Sequence, residues 1–99
     1  MARMILNAAP STIERPDLGD SLRSERWVVV VYDNDSNSVE EVIHILLLAT
    51  GCTVDEAEME TWEVHHLGKS VVHHGGKDEC ETVSAIISEI GIRVEVYEE

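Results

Sequence analysis

Three stretches of the chain have the hydrophobic pattern of β-strands. Residues 27–32 are β-branched or aromatic throughout, which predicts a largely buried strand, and the polar residues 33–37 that follow favour a turn. A second strand is predicted over residues 69–74, centred on two consecutive valines. Residues 92–97 alternate between apolar and polar side chains, a pattern typical of a strand with one covered and one solvated face.

Three helices are predicted between these strands from apolar residues that recur at helical spacing. Each begins with the spacing of a capping box, in which a short polar side chain precedes a glutamate by three positions. These pairs are Ser38 with Glu41, Thr53 with Glu56, and Asp78 with Glu81. The predicted helix ends are the glycines Gly51, Gly68 and Gly91. The apolar face of the second helix is predicted to include Ala57, Thr61 and Val64, and to extend to Trp62 and Leu67.

The order strand, helix, helix, strand, helix, strand predicts an α+β fold. Its simplest compact form is a three-stranded antiparallel sheet packed against three helices. Residues 26–99 are predicted to form this one domain. Residues 1–25 contain both prolines of the chain and no lasting apolar period, so we predict a flexible, disordered N-terminal extension.

The charge of the chain restricts its partners. The 20 acidic and 7 basic residues give a formal net charge of −13. This charge repels phosphate backbones and anionic membrane surfaces, whereas basic proteins and the amino termini of other chains suit it. No segment has the length and apolarity of a signal-peptide core or a membrane span, so we expect a cytoplasmic protein.

No arrangement of residues indicates an enzyme. The sequence has no glycine-rich phosphate loop, and Cys52 and Cys80 lie far apart without a local partner. The adjacent histidines His65 and His66 point about 100° apart on a helix and cannot share one ion unaided. We therefore expect no catalysis, no cofactor and no metal. A small metal-binding protein that uses its 5 histidines stays open as an alternative.

One combination of segments indicates a ligand site. The acidic turn Asp33-Asn34-Asp35 leaves the first strand, and His65 ends the second helix shortly before Gly68. If that strand and that helix pack together, the two segments meet around one pocket. An ammonium group has three donors and no acceptor, so it needs the carboxylates, amide oxygens and neutral imidazole that these segments offer.

Several motifs then resemble one family by their order and spacing. Val64-His65, Gly68-Lys69 and Glu81-Thr82 match the family pattern as they stand, and Asp33-Asn34-Asp35 matches in composition and place. From about residue 27 to its end, the chain resembles the ClpS family of adaptors of the bacterial Clp protease.

The resemblance implies an adaptor that binds destabilising N-terminal residues, which are large hydrophobic or aromatic residues, and delivers the substrates to a Clp AAA+ unfoldase of the ClpA or ClpC type. It implies a monomer whose N-terminal extension is needed for delivery. Its assignment for the substrate's α-amino group and first peptide unit is Asp33, Asn34, Asp35, Asn37 and His65. Its assignment for the first side chain is a pocket of Val39, Val42, Thr61, Val64 and Val96. Its assignment for unfoldase docking is Asp78, Glu81 and Thr82.

Three departures from the family pattern bear on specificity and docking. The first two turn residues are swapped to Asp33-Asn34, and Asn37 replaces a threonine. Val39 replaces the methionine that usually gates the pocket, which predicts more room for the branched side chains of isoleucine and valine. Val83 stands where many relatives carry a lysine thought to contact the unfoldase.

An acidic protein-interaction domain is the alternative from a different class. The C-terminal domain of the ribosomal stalk protein has a broadly similar arrangement of sheet and helices and is also acidic. It lacks the Asp-Asn-Asp turn paired with Val-His-x-x-Gly-Lys, so this alternative implies no binding of N-terminal residues.

Overall fold

The computed structural model describes residues 26–99, which contain three strands and three helices. The strands are β1 (Trp27–Tyr32), β2 (Lys69–Gly75) and β3 (Val94–Glu98), and the helices are α1 (Val39–Thr50), α2 (Val54–Leu67) and α3 (Lys77–Ser88). Their order along the chain confirms the predicted α+β class. The predicted N-terminal extension, residues 1–25, lies outside the described residues.

β1 is the central strand, with β2 and β3 paired antiparallel on either side of it. Val29 lies opposite His73 in β2 and opposite Val96 in β3. The register towards β2 shifts between Val29 and Val30, which marks an irregularity in that ladder. The predicted three-stranded antiparallel sheet is confirmed.

The helices cover one face of the sheet. Side chains of all three helices pack on Val29 and Val31 of β1 and form an aliphatic core, since the chain has no phenylalanine. Val28 and Val30 alternate to the opposite face, and they too are buried because β1 lies between two other strands. β1 is therefore buried on both faces and gives a fixed base to the turn that follows it.

The first two helices begin where their capping boxes predict. The Ser38 hydroxyl accepts from the backbone N–H of Glu41, whose carboxylate accepts from the backbone N–H of Ser38. Thr53 and Glu56 make the same reciprocal pair at the start of α2. Each box satisfies two backbone donors that a helix start leaves without intrahelical partners.

The predicted cap of the third helix at Asp78 is wrong. α3 begins at Lys77, and Gly76 is its N-cap without any side-chain hydrogen bond. The cause is the length of β2, which runs on to Gly75 and leaves a single residue between strand and helix. Asp78 lies in the first turn instead, where its negative charge is favourable beside the positive end of the helix dipole.

The predicted apolar face of α2 was too wide. Ala57, Thr61 and Val64 are buried, as helical spacing requires, but Trp62 is 53% exposed and Leu67 is 66% exposed. Adjacent helical residues point about 100° apart, so Trp62 cannot share the buried face with its neighbour Thr61. Trp62 packs along the helix surface instead.

None of the helices in residues 26–99 has both the length and the apolar character that crossing a membrane requires.

Candidate functional site

A backbone hydrogen bond connects the polar turn after β1 to the end of α2. The N–H of Asp33 donates to the carbonyl oxygen of Gly68 at 2.9 Å. Gly68 has a φ of 93°, a conformation that costs glycine little and lets the chain reverse directly from α2 into β2. Lys69 then pairs with Tyr32 in the sheet. The predicted proximity of the turn and the end of the second helix is confirmed.

The turn is ordered by its own amide side chains. The Asn34 side-chain oxygen accepts from the backbone N–H groups of Ser36 at 3.3 Å and Asn37 at 3.1 Å. The Asn34 side-chain nitrogen donates to the Asn37 side-chain oxygen at 2.8 Å. Short polar side chains stabilise turns in this way by bonding to nearby backbone. The carboxylates of Asp33 and Asp35 stay exposed to solvent at the same turn.

His65 lies one helical turn before the cap of α2 with a defined orientation. Its Nδ1 is 3.0 Å from the carbonyl oxygen of Thr61, which can only accept, so Nδ1 carries the proton and donates. In a neutral imidazole the other nitrogen, Nε2, is then an acceptor. The half-buried ring therefore offers a lone pair, which is what an ammonium group needs.

A cleft of about 290 Å³ lies between α1 and α2. Three of its lining residues belong to the predicted site, namely Val39, Thr61 and His65. Four others were missed by the sequence reasoning, namely Ile43, Glu58, Trp62 and His66. Their signal was the helical spacing of four from Val39 to Ile43 and of three or four along α2, which places each set on one helix face.

The other predicted pocket residues do not line this cleft. Val42 and Val64 are 1% and 0% exposed and belong to the core beneath the two helices. Val96 is half-buried in β3 and packs against the same core. The structure therefore separates the predicted apolar set into an open rim, Val39 and Thr61, and side chains that face the sheet.

An aromatic pair forms one wall of the cleft. The rings of Trp62 and His66 are stacked, with centroids 4.5 Å apart and planes inclined by 16°. His66 Nδ1 is 2.9 Å from the carbonyl oxygen of Trp62, so the imidazole is held in place by a hydrogen bond as well as by stacking.

The residues assigned to docking lie on a different element. Asp78, Glu81 and Thr82 are exposed on the first two turns of α3, on one helix face. The Thr82 hydroxyl donates to the carbonyl oxygen of Asp78 at 3.1 Å. Val83 is 4% exposed and faces the core, so this position presents no side chain to a partner.

One carboxyl group between α2 and β2 has unusual surroundings. Burial, followed by the charges of Glu56 and Glu63, raises the pKa of Glu60 to about 7. Within residues 26–99, the buried Oε1 of Glu60 has no hydrogen-bond partner. The same described residues contain no group of three or more histidine, cysteine or acidic side chains placed to hold a metal ion.

Comparisons with known proteins agree with this architecture. The model of the family described as ATP-dependent Clp protease adaptor protein ClpS matches residues 23–94. The ATP-dependent Clp protease adapter protein ClpS of Nocardia farcinica is 32% identical over 80 residues, which cover 79% of this chain and 76% of the relative. The structure of Agrobacterium tumefaciens ClpS2 bound to L-phenylalaninamide has a similar fold, with a TM-score of 0.72 and 19% identity over 78% of this chain and 100% of that one. This chain therefore belongs to the ClpS family of adaptors of the ATP-dependent Clp protease.

Proposed function

We propose that this protein binds the N-terminal residue of substrate proteins and delivers them to a Clp AAA+ unfoldase, as a binding adaptor and not as an enzyme. The observation that carries the proposal is the hydrogen bond from Asp33 to Gly68. This bond holds a turn of acidic and amide side chains beside His65, at the cleft between α1 and α2. An ammonium site and an apolar cleft are thereby adjacent.

The α-amino group of the substrate is assigned to the turn and to His65. Carboxylates of Asp33 and Asp35, together with Nε2 of His65, accept hydrogen bonds from the ammonium group. The amides of Asn34 and Asn37 order the turn and face the first peptide unit. Each charge-assisted hydrogen bond contributes roughly 1.5–3 kcal/mol, which makes a free and charged amino terminus the main determinant of binding.

The first side chain of the substrate is assigned to the cleft. It enters beside Val39 and Thr61, with Val42, Val64 and Val96 as the apolar set of the family pocket. Burial of a large apolar side chain contributes about 1.5–3 kcal/mol, so leucine and aromatic residues are favoured. The phenylalaninamide in ClpS2 of Agrobacterium tumefaciens has the same chemistry, a free amino group beside an aromatic side chain.

Delivery is assigned to α3 and to the N-terminal extension. Asp78, Glu81 and Thr82 form an exposed polar surface on α3, on a different element from the ammonium site, so the N-terminal domain of a ClpA-type or ClpC-type unfoldase can dock while substrate is bound. A monomer in the cytoplasm meets these requirements. Deletion of residues 2–20 is expected to preserve peptide binding and to abolish delivery. The stalk-like alternative is not proposed, because the chain belongs to the ClpS family.

Fluorescence anisotropy with short peptides that differ only in their first residue tests this function. Peptides that begin with leucine, phenylalanine, tryptophan or tyrosine are expected to bind with a dissociation constant on the order of micromolar. An acetylated leucine peptide is expected not to bind. His65→Ala should weaken every interaction, whereas His74→Ala, an exposed histidine on β2, is the matched control. Absence of binding to all free termini would overturn the proposal.

A further inference from the structure

The cleft between α1 and α2 extends beyond the residues assigned to the first side chain. Its far part is lined by Ile43 from α1 and by Glu58, Trp62 and His66 from α2. Trp62 is 53% exposed although it is the largest side chain in the cleft. Its stacking on His66 keeps the indole ring in place, so an aromatic face stays open to solvent beside a carboxylate.

The charge around this part of the cleft has one sign. Glu58 precedes Trp62 by four residues, so the two side chains lie on the same face of α2. Neither α1 nor α2 contains a lysine or an arginine, whereas both contain several glutamates. A cationic side chain that enters the cleft therefore meets a carboxylate and an aromatic ring, and no like charge from either helix.

We propose that this far part of the cleft binds the side chain of the substrate's second residue and selects arginine or lysine there. The inference rests on the proposed function, since it places the substrate's α-amino group at His65. The aliphatic stem of the second side chain lies against Ile43, its cationic head lies over the indole of Trp62, and Glu58 balances the charge. Cation–π contacts of this type form within about 6 Å of the ring centroid, and a planar guanidinium stacks well on tryptophan.

Distances along the helix assign this part of the cleft to the second residue. His65 and Glu58 are seven positions apart, which corresponds to about 10 Å along α2. An extended peptide advances about 3.3 Å per residue, so a long side chain on the second residue spans the remaining distance and a short one does not. The first side chain meets Val39 and Thr61 instead, where the lining has no group that compensates a positive charge.

The test uses three peptides that begin Leu-Arg, Leu-Ala and Leu-Glu and are otherwise identical. Fluorescence anisotropy is measured with the full-length chain at pH 8, where histidines are mostly neutral, and at low ionic strength. We expect Leu-Arg to bind about fivefold more tightly than Leu-Ala, and Leu-Glu to bind about fivefold more weakly, because a cation–π contact and one screened charge pair are each modest. Added salt should reduce both differences.

Two variants locate the preference in the cleft. Glu58→Gln and Trp62→Ala should each reduce the advantage of Leu-Arg over Leu-Ala to about twofold or less, while the affinity for Leu-Ala changes little. Both side chains are exposed on α2, so neither substitution touches the core. Asp55→Asn removes the same charge from an exposed position of the same helix outside the cleft, and it should keep the full preference.

The outcomes separate this inference from the function on which it rests. If Leu-Ala binds and the three peptides have equal affinity, the second-residue site is wrong and the N-terminal residue site stands. An equal effect of Glu58→Gln and Asp55→Asn would also overturn the site, because it would assign the preference to overall charge. If no peptide with a free terminus binds, both proposals fail.

Discussion

The side-chain amide of Asn37 donates a hydrogen bond of 2.8 Å to the backbone carbonyl oxygen of Ile90, although the two residues are 53 positions apart. Asn37 therefore joins the polar turn to the segment that follows α3. The backbone bond from Asp33 to Gly68 joins the same turn to the end of α2. The turn that is assigned to the substrate's amino group is thus fixed from two sides of the domain.

Replacement of Asn37 should loosen this turn. Asn37→Ala removes the bonds to Ile90 and Asn34 and leaves a carbonyl oxygen without its partner, so we expect a loss of about 1–2 kcal/mol in the free energy of unfolding. Peptide affinity should fall about tenfold because the acceptors around the ammonium group are no longer preorganised. Urea unfolding and anisotropy measure the two effects. Ser36→Ala, in the same turn, is the control, and an equal loss in both variants would contradict this role of Asn37.

The side chain at position 39 should control selection among branched first residues. Val39 is 47% exposed at the cleft, and the longer methionine in its place would occupy space beside the β-carbon of the substrate. We expect the wild-type protein to bind isoleucine and valine peptides, and Val39→Met to weaken these about tenfold while leucine and phenylalanine peptides still bind. Val54→Met, on an exposed position outside the cleft, should leave the selectivity unchanged. Rejection of both branched peptides by the wild type would contradict the prediction.

The stability of the domain should depend on the ionisation of Glu60. Burial raises the pKa of Glu60 from 4.5 to about 7, so the folded protein binds a proton that the unfolded chain has already released between these two values. Stability therefore falls as the pH rises from about 5 to 8. The group is half-exposed and screened by solvent, so the loss is about 1 kcal/mol.

Glu60→Gln tests this dependence by removing the charge without changing the shape of the side chain. The variant should be more stable than the wild type at pH 8 and no more stable at pH 5, as measured by urea unfolding. Glu40→Gln, an exposed glutamate on α1, should show no gain that grows with pH. A wild-type stability that is flat or rises from pH 5 to 8 because of this residue would be inconsistent with the raised pKa.

Two lysine substitutions on α3 should have opposite effects. Glu81→Lys reverses a charge on the exposed surface, so it should leave peptide binding and thermal stability nearly unchanged and weaken the complex with a Clp unfoldase. Val83→Lys introduces the residue that many relatives carry, but at a buried position it forces an ammonium group towards the core. We expect a loss of several kcal/mol, seen as a fall of more than about 10 °C in Tm. Normal unfoldase binding by Glu81→Lys would remove this residue from the docking surface.

Local chemistry made the fold readable from the sequence. Ser38 and Thr53 precede glutamates at the capping-box distance, and both helices begin there because that interaction involves only neighbouring residues. Asp78 has the same spacing but fails as a cap, since the continuation of β2 to Gly75 decides where α3 can begin. Competition between adjacent elements for the same residues is not visible in a local motif.

The candidate site was readable only in part. The meeting of the turn with His65 followed from the order of the elements, and the bond from Asp33 to Gly68 confirms it. The division of the apolar residues did not follow, because Val39 and Val42 lie on the same helix and only its rotation against α2 decides which one reaches the cleft. The bond from Asn37 to Ile90 joins residues that no sequence pattern relates.

The central position of β1 has a mechanical consequence. Any force that pulls on the chain ahead of residue 26 reaches Trp27 first and then the strand that is bonded on both edges and buried on both faces. Withdrawal of that strand requires two hydrogen-bonded ladders to rupture and the packing of its four valines to be lost in the same event. The point at which a translocating motor would take hold of this protein therefore leads directly to its most resistant element, so the motor would more readily slip than unravel the domain.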